Sequence, residues 1–573
     1  MSTHARPLAA WLAAASDEEL TALFTARGIR SESRWNDFFD AAEALLDPAS
    51  LGRILPQLTR SEVDALLRTS AGGDPGQERE ALIALALLQP DGTVPPAVVA
   101  AMAGRPAPAP VASKVDSTQE VPATGEAAAH AAERAFTTVS ALADLLLLTR
   151  DTPLTLLANG NVSAGEKRQL SESGIPTETV DTLLSVAEAA GLVRADGRRL
   201  RLTAEAEGWL RAPAIDRWVR LVEGFRRSLP RGLREQDGGW PRPAAWADAH
   251  PWDATWSQQT DVLRERATLL GLIADDGSEP EWATPLREGG PVDGSGLQRM
   301  LPAEVDRLFL QNDLSAISPG PLAPAIDVRL RRMAQRESVA QASSYRFTSA
   351  SIAHALVVGE TEQSLLDFLG GLSLTGIPQP LQYLISQTAQ RHGLVRVSED
   401  ESTGRTRIDS VDVNLVDAMA VDQTLRPLAL ARDGASLSTR VGRDTVYWAL
   451  TDARYPATLV GPDGAAIAVD RHPASSLVDA SDGEAPFAAL IARLRSHQGP
   501  DADAAWLDRE LEAAVRAKAV LRVTVGMPDG STRELLLEAS GMGGGRLRGR
   551  DRAADVERTL PVSSIRAAQI VEA

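Results

Sequence analysis

Tyr345-Arg346-Phe347-Thr348 opens the stretch whose reading decides the fold, and it runs on to Ile377-Pro378-Gln379-Pro380-Leu381-Gln382-Tyr383-Leu384-Ile385 and Arg391-His392-Gly393-Leu394-Val395-Arg396-Val397. Thr348 suits a cap for a helix over residues 349–358, with Gly359 as its stop. Thr361 opens a second helix over 362–369, and a third begins near Pro380, where a residue without an N–H fits the first turn. Leu381, Leu384, Ile385 and Ala389 recur on one face of that third helix, and Gly393 ends it. Upstream, Leu301-Pro302-Ala303-Glu304-Val305-Asp306 and Gln311-Asn312-Asp313-Leu314-Ser315-Ala316 lead into the same unit.

Working outward, 181–190 reads as a helix, followed by Gly191-Leu192-Val193-Arg194, a turn at Asp196-Gly197, and Arg198-Arg199-Leu200-Arg201-Leu202-Thr203. Helix, short strand, Asp-Gly turn and second strand predict a winged helix. A weaker echo at Gly271-Leu272-Ile273-Ala274 and Glu281-Trp282-Ala283-Thr284-Pro285-Leu286 predicts a second one in tandem. Trp240, Trp246, Trp252 and Trp256 lie between them among prolines. They can stack on bases if exposed, or pack a loop-rich connection against helices.

The N-terminal region reads as all-helical over 1–103. Ser16-Asp17-Glu18-Glu19 and Thr59-Arg60-Ser61-Glu62 are capping boxes, each ahead of leucines at helical spacing. Residues 104–130, with Pro106, Pro108 and Pro110, read as a flexible linker. After 397 the pattern predicts strands at 405–408, 426–431, 437–441 and 457–460 with helices at 413–420 and 444–451, a small α+β unit with ferredoxin-like character. A helix at 499–518 and a β-rich tail from Leu521, turning at Pro528-Asp529-Gly530 and Gly543-Gly544-Gly545, complete the chain. The fold class is multidomain and mainly α with α+β. Its expected units are 1–103, the linker 104–130, a tandem winged-helix-like region 131–300, a module 301–470, and a helix plus β-rich domain 471–573.

These motifs, in this order, resemble the helicase-associated domain proteins of high-GC bacteria, which carry a domain similar to the N-terminal domain of the eukaryotic repair helicase XPB/Ssl2. The resemblance spans roughly 135–470, and its signature residues are Tyr345, Arg346, Phe347, Pro378, Gln379, Pro380, Arg391, His392 and Gly393. It implies engagement of damaged or unwinding DNA, or docking to a separate helicase. Gly370-Gly371-Leu372-Ser373-Leu374-Thr375-Gly376 departs from the polar or basic residues that the family often has there. The tail looks like a degenerate WYL-type β-domain, a class associated with ligand or nucleic-acid sensing, although the tripeptide that names it is absent.

Two basic clusters are candidate DNA contacts in a chain of net charge −18. Residues 191–235 hold eleven Arg against six acids, including Arg198, Arg199 and Arg201 in the wing. They fit phosphate contact, while winged helices also serve as protein-binding modules. Arg546, Arg548 and Arg550 alternate along a tail strand and so share one side. That stripe reads as a phosphate track or as a charged, solvated hairpin edge. Arg391-His392 near a helix end most simply complements the helix dipole.

Enzyme signals fail one by one. A phosphate loop needs Gly-x4-Gly-Lys-Ser/Thr; after Gly160 and Gly165, Glu166 displaces Lys167 and Arg168 stands where the hydroxyl belongs. The seven histidines have no metal-ligand spacing, no Gly-x-Ser-x-Gly elbow occurs, and there is no cysteine. Neither cofactor nor metal is expected. No apolar run is long enough to span a bilayer. The expected home is the cytoplasm, including the nucleoid. The leading expectation is a non-catalytic DNA-binding or helicase-accessory protein acting in DNA repair or helicase-linked metabolism, with forked, damaged or duplex DNA and possibly a separate helicase as partners. A ligand-responsive winged-helix regulator and a protein-binding scaffold without nucleic acid remain as alternatives, and the oligomeric state is open.

Overall fold

The computed structural model describes residues 5–108, 123, 125–338, 343–464, 466–467, 486–498, 502–527 and 530–571. Most of the expected linker and the Pro528-Asp529 part of the tail turn lie outside them. The described residues form a multidomain, largely helical chain with four small sheets. None of its helices is long and apolar enough to cross a membrane.

Both N-terminal capping boxes form. Ser16 Oγ accepts from the Glu19 N–H at 3.2 Å while Glu19 accepts from the Ser16 N–H at 2.7 Å, and Thr59 and Glu62 repeat the exchange. The helical core closes on Phe24, Phe38, Phe39 and a set of leucines, all buried. Its remaining wall comes from the far end of the chain. Phe487, Leu490, Ile491 and Leu494 of the helix Ala488–Ser496 complete this core, together with Trp506. Arg493 donates to Trp35 O at 3.0 Å, Arg495 donates to Ala13 O at 2.6 Å, and Arg509 reaches Asp40 at 2.6 Å. The expected boundary at 103 is therefore a chain boundary and not a packing boundary.

The helix Gly125–Asp151 opens the next unit and takes in the end of the expected linker 104–130. Strand Leu154–Thr155, helices Ala164–Glu172 and Val180–Ala189, and the hairpin Val193–Asp196 with Arg199–Leu202 follow. The three strands form one antiparallel sheet with Arg199–Leu202 in the middle. Asp196 pairs with Arg199, so Gly197 and Arg198 form the turn, and Gly197 sits at φ 59°, where a primed hairpin turn favours glycine. The expected second hairpin does not form. Pro285 starts the short helix Thr284–Arg287, and Trp282 turns inward to donate to Gly271 O at 2.9 Å. The four tryptophans between 240 and 256 are all at most 6% exposed, so they pack and do not present faces for stacking.

In the module, the sheet Phe309–Leu310, Ser315–Ser318, Ser343–Arg346 and Gln335–Ser338 packs with helices Pro324–Met333, Ser349–Val357, Glu362–Leu372 and Gln379–Arg391. The α+β extension follows the order of a split βαβ sheet, except that Val395–Asp400 is inserted between Arg405–Ser410 and Ala457–Leu459, to which it runs parallel. The expected strand at 426–431 is instead the 3₁₀ turn Gln423–Leu428, since Pro427 has no N–H to give a ladder. The tail is a five-stranded antiparallel sheet covered on one face by the helix Ala502–Ala517.

The N-terminal unit also docks on the tryptophan-rich connection. His250 is buried, with Nδ1 3.0 Å from Leu58 O, and its ring meets Trp256 edge-on at 4.4 Å. A carbonyl only accepts, so Nδ1 carries the proton, and burial holds the ring below its ordinary value of 6.5. With the folded value depressed by burial, the burial of the neutral ring contributes stability that is fully present above pH 6.5 and is lost as pH falls through the folded value. The stability of the docked unit is expected to drop on acidification from about pH 7 to 5, and His250→Gln to flatten that slope in thermal unfolding. Leu494→Ala is expected to cost about 2–5 kcal/mol in chemical denaturation; a cost under about 1 kcal/mol would mean that the helix Ala488–Ser496 does not complete the core.

Candidate nucleic-acid interface

The signature residues separate once folded. Alternation along the strand Ser343–Arg346 and its continuation sends Tyr345 and Phe347, each 1% exposed, into the module core and leaves Arg346 outside, paired with Glu337. Tyr345 donates to Asp327 Oδ1 at 2.7 Å, and burial pushes its hydroxyl well above the ordinary range. Pro378, Gln379 and Pro380 lie at the start of the helix Gln379–Arg391, with Arg391, His392 and Gly393 at its end. A helix of that length holds the two groups roughly 20 Å apart. His392 is held low by burial and its Nε2 lies 3.1 Å from Thr458 Oγ1. The expected dipole role therefore fits only Arg391, which is exposed at the last turn. Gly393 takes φ 79°, with the Thr458 hydroxyl where a Cβ would sit 3.1 Å away.

Arg391 and His392 open onto a cleft of about 2880 Å³ between the Gly125–Asp151 unit and the module. One carboxylate ties its two walls together. Asp144 is 9% exposed, accepts from Arg331 Nη1 at 2.6 Å, and accepts from Arg336 through its other oxygen. Arg217, buried nearby, lays its guanidinium 5.2 Å from the Trp209 ring, donates to Trp209 O at 3.0 Å, and is brought down to about 10 by burial. Above this floor stands a cluster of like charges. Arg332 has no hydrogen bond or ion pair among the described residues; burial lowers it first, and Arg150 and Arg211 lower it further against the opposing pull of Glu207 and Glu360. Arg150 reaches Asp151 at 3.3 Å and Glu207 at 3.9 Å, yet its Nη1 is buried without a hydrogen-bond partner. His354 is held low by desolvation in the cleft and by Arg150 and Arg332, against the pull of Asp151.

The wing arginines do not act as a set. Arg198 and Arg199 are exposed at the hairpin and have no ion pair among the described residues. Arg201 is half-buried, ion-paired with Asp196 at 3.2 Å without a hydrogen bond between them, and lines the cleft. On the tail, Arg546, Arg548 and Arg550 alternate with buried Leu547, Gly549 and Asp551, so they share the open face as expected. Their strand lies second from the edge of the sheet, so the hairpin-edge reading does not apply. Arg550 is taken by Asp555 at 2.7 Å, while Arg546 and Arg548 are unpaired among the described residues. The pattern-based reading missed Asp144, Arg150 and Arg332. Asp144 had one signal, a carboxylate inside the apolar run Leu142-Ala143-Asp144-Leu145-Leu146-Leu147. The arginines had none, since their neighbours come from distant segments.

Residues 308–433 match the family described as helicase conserved C-terminal domain. The match lies on the module and the first part of its α+β extension, so the likeness to helicases is carried by the wall that holds Arg332 and Arg391. No curated protein matches the chain.

Asp144→Ala leaves two guanidinium groups in the floor of the cleft without their carboxylate. It is expected to cost about 3–5 kcal/mol in chemical denaturation, and a loss below about 1 kcal/mol would show that Asp144 does not hold the walls together.

Proposed function

We propose that this chain is a non-catalytic, DNA-binding accessory of a helicase, acting in DNA repair or another helicase-linked process. The observation that carries the reading is the match of 308–433 to a helicase domain, in a chain whose hairpin exposes Arg198 and Arg199 with no ion pair among the described residues. Helix, strand, two helices and hairpin, joined in a three-stranded sheet, is read here as a winged helix whose wing contacts backbone phosphate. The module is read as the counterpart of the XPB/Ssl2 N-terminal domain, engaging forked or damaged DNA or docking a separate motor. The tail is read as a WYL-like domain whose open face, with Arg546 and Arg548, adds a second phosphate contact. Such work belongs in the cytoplasm, at the nucleoid.

One observation favours a second reading. A net charge of −18 opposes association with a polyanion, and a protein-binding scaffold would need no basic face. Fluorescence anisotropy of the full chain against duplex and forked DNA at two salt concentrations separates the two. Salt-sensitive binding with a fork preference is expected, and no binding at low salt would leave the scaffold. Arg198→Ala with Arg199→Ala is expected to weaken duplex binding across all sequences and to reduce the salt slope by about 0.9 per lost phosphate contact. An unchanged slope would remove the wing from the interface.

A further inference from the structure

The cleft is too large for a small ligand. Its volume of about 2880 Å³ is several times the roughly 300–1,000 Å³ in which proteins enclose one. Nine arginines and eight carboxylates line it, so its mean charge says little, and the pairing decides. Asp144 is spent on Arg331 and Arg336, Asp327 on Tyr345, Glu337 on Arg346, and Asp151 and Glu207 on Arg150. Glu304 accepts from the Ala214 N–H at 2.8 Å.

What remains uncompensated is polarised. Apart from Arg217, whose buried guanidinium donates to the Trp209 and Leu210 carbonyls, the lining arginines without an ion pair among the described residues are Arg332, Arg391 and Arg454, and these three stand on the wall formed by the module and its extension. The two carboxylates left over, Glu133 and Glu172, belong to the helices of the other wall. Arg454 follows the helix Arg443–Asp452 at φ 64°, a backbone region that a residue with a Cβ rarely takes, so this arginine is held in place by a defined turn. Trp448 and Tyr455 flank it, half-buried, and both line the cleft. Guanidinium groups without an ion pair and two aromatic rings that line the same large cleft suit a polymer with a charged backbone and flat side groups. Arg150 Nη1 is buried 3.9 Å from Glu207 Oε1 and has no hydrogen-bond partner among the described residues, so it adds a donor to the cleft.

We propose that the cleft between the Gly125–Asp151 unit and the module is a channel for single-stranded nucleic acid, with backbone phosphates on Arg332, Arg391 and Arg454 and bases against Trp448 and Tyr455. The inference rests on the DNA-binding reading above and deepens it: the hairpin holds duplex, and the cleft takes the strand that unwinding releases. A fork would then be gripped at both of its parts, the duplex arm on the wing and one displaced arm in the channel.

The test uses the full chain, a labelled single-stranded oligothymidylate and a duplex of the same length, followed by anisotropy across a salt series. Arg391→Ala with Arg454→Ala is the principal variant, because both side chains are exposed and have no hydrogen bond or ion pair among the described residues. Single-strand affinity is expected to fall at least about tenfold at low salt, and the salt slope by about 0.7 for each lost phosphate contact, with duplex affinity unchanged. Adding Arg332→Ala is expected to deepen the single-strand loss. DNA binding with single-strand affinity and slope unchanged in the double variant overturns the channel and leaves the accessory reading standing. An equal loss on duplex also overturns it, because the cleft would then be part of a general phosphate surface. Failure of the unaltered chain to bind either DNA overturns both.

Discussion

Asp144 accepting from Arg331 and Arg336 is the contact on which the arrangement of the middle of this protein depends. The carboxylate sits on the apolar side of the helix Gly125–Asp151, where an unpaired charge would be expelled, and both guanidinium groups come from the module some 190 residues later in the chain. Removing either side strands buried charge, so the two units are held in one relative setting. Val328 of the module helix Pro324–Met333 also packs into the core of the Gly125–Asp151 unit, and since hydrophobic contact is non-directional, the ion pairs add the direction that this apolar contact lacks. The cleft above it is a consequence of that setting.

A second constraint acts at the ends of the chain. The helix Ala488–Ser496 fills the core of the N-terminal helices, and the following helix Ala502–Ala517 turns Trp506 toward that core and Leu507, Leu511 and Ala514 toward the tail sheet. One two-faced helix thus joins the first hundred residues to the last fifty. With His250 and Trp252 pinning the same N-terminal unit to the tryptophan-rich connection, the terminal and central parts form one continuous body. The arginines that make these joins donate largely to backbone carbonyls, as Arg493 and Arg495 do. These arginines serve assembly, which fits an overall acidic protein.

Much of the fold was legible in the residues. Capping boxes at Ser16 and Thr59, caps at Thr348 and Thr361, the proline-started helix at Gln379 and the Gly197 turn are local events, decided by hydrogen bonds within three or four residues, and each stands where the pattern put it. The failures were also local readings, made where a more distant partner won. Gly271-Leu272-Ile273-Ala274 has the pattern of a strand but no neighbour to pair with, because Trp282 folds back onto it. The candidate site fared worse. Of the wing triplet, Arg198 and Arg199 are presented and Arg201 is turned to the cleft; of the tail triplet, Arg550 is neutralised by Asp555. Pairing of this kind depends on which acids arrive in space, and a charge count along the chain does not contain it.

The sequence by itself determined the multidomain, largely helical character of the chain, the helical units with their caps, the first hairpin and the open-faced arginine stripe of the tail, since each follows from periodicity and short-range hydrogen bonding. Only the tertiary structure decided which arginines stay free. That outcome follows from distance: an ion pair needs its partners within a few ångströms, and Asp144, Arg332, Arg391 and Arg454 are brought to one cleft only when helices separated by up to some 300 residues have packed.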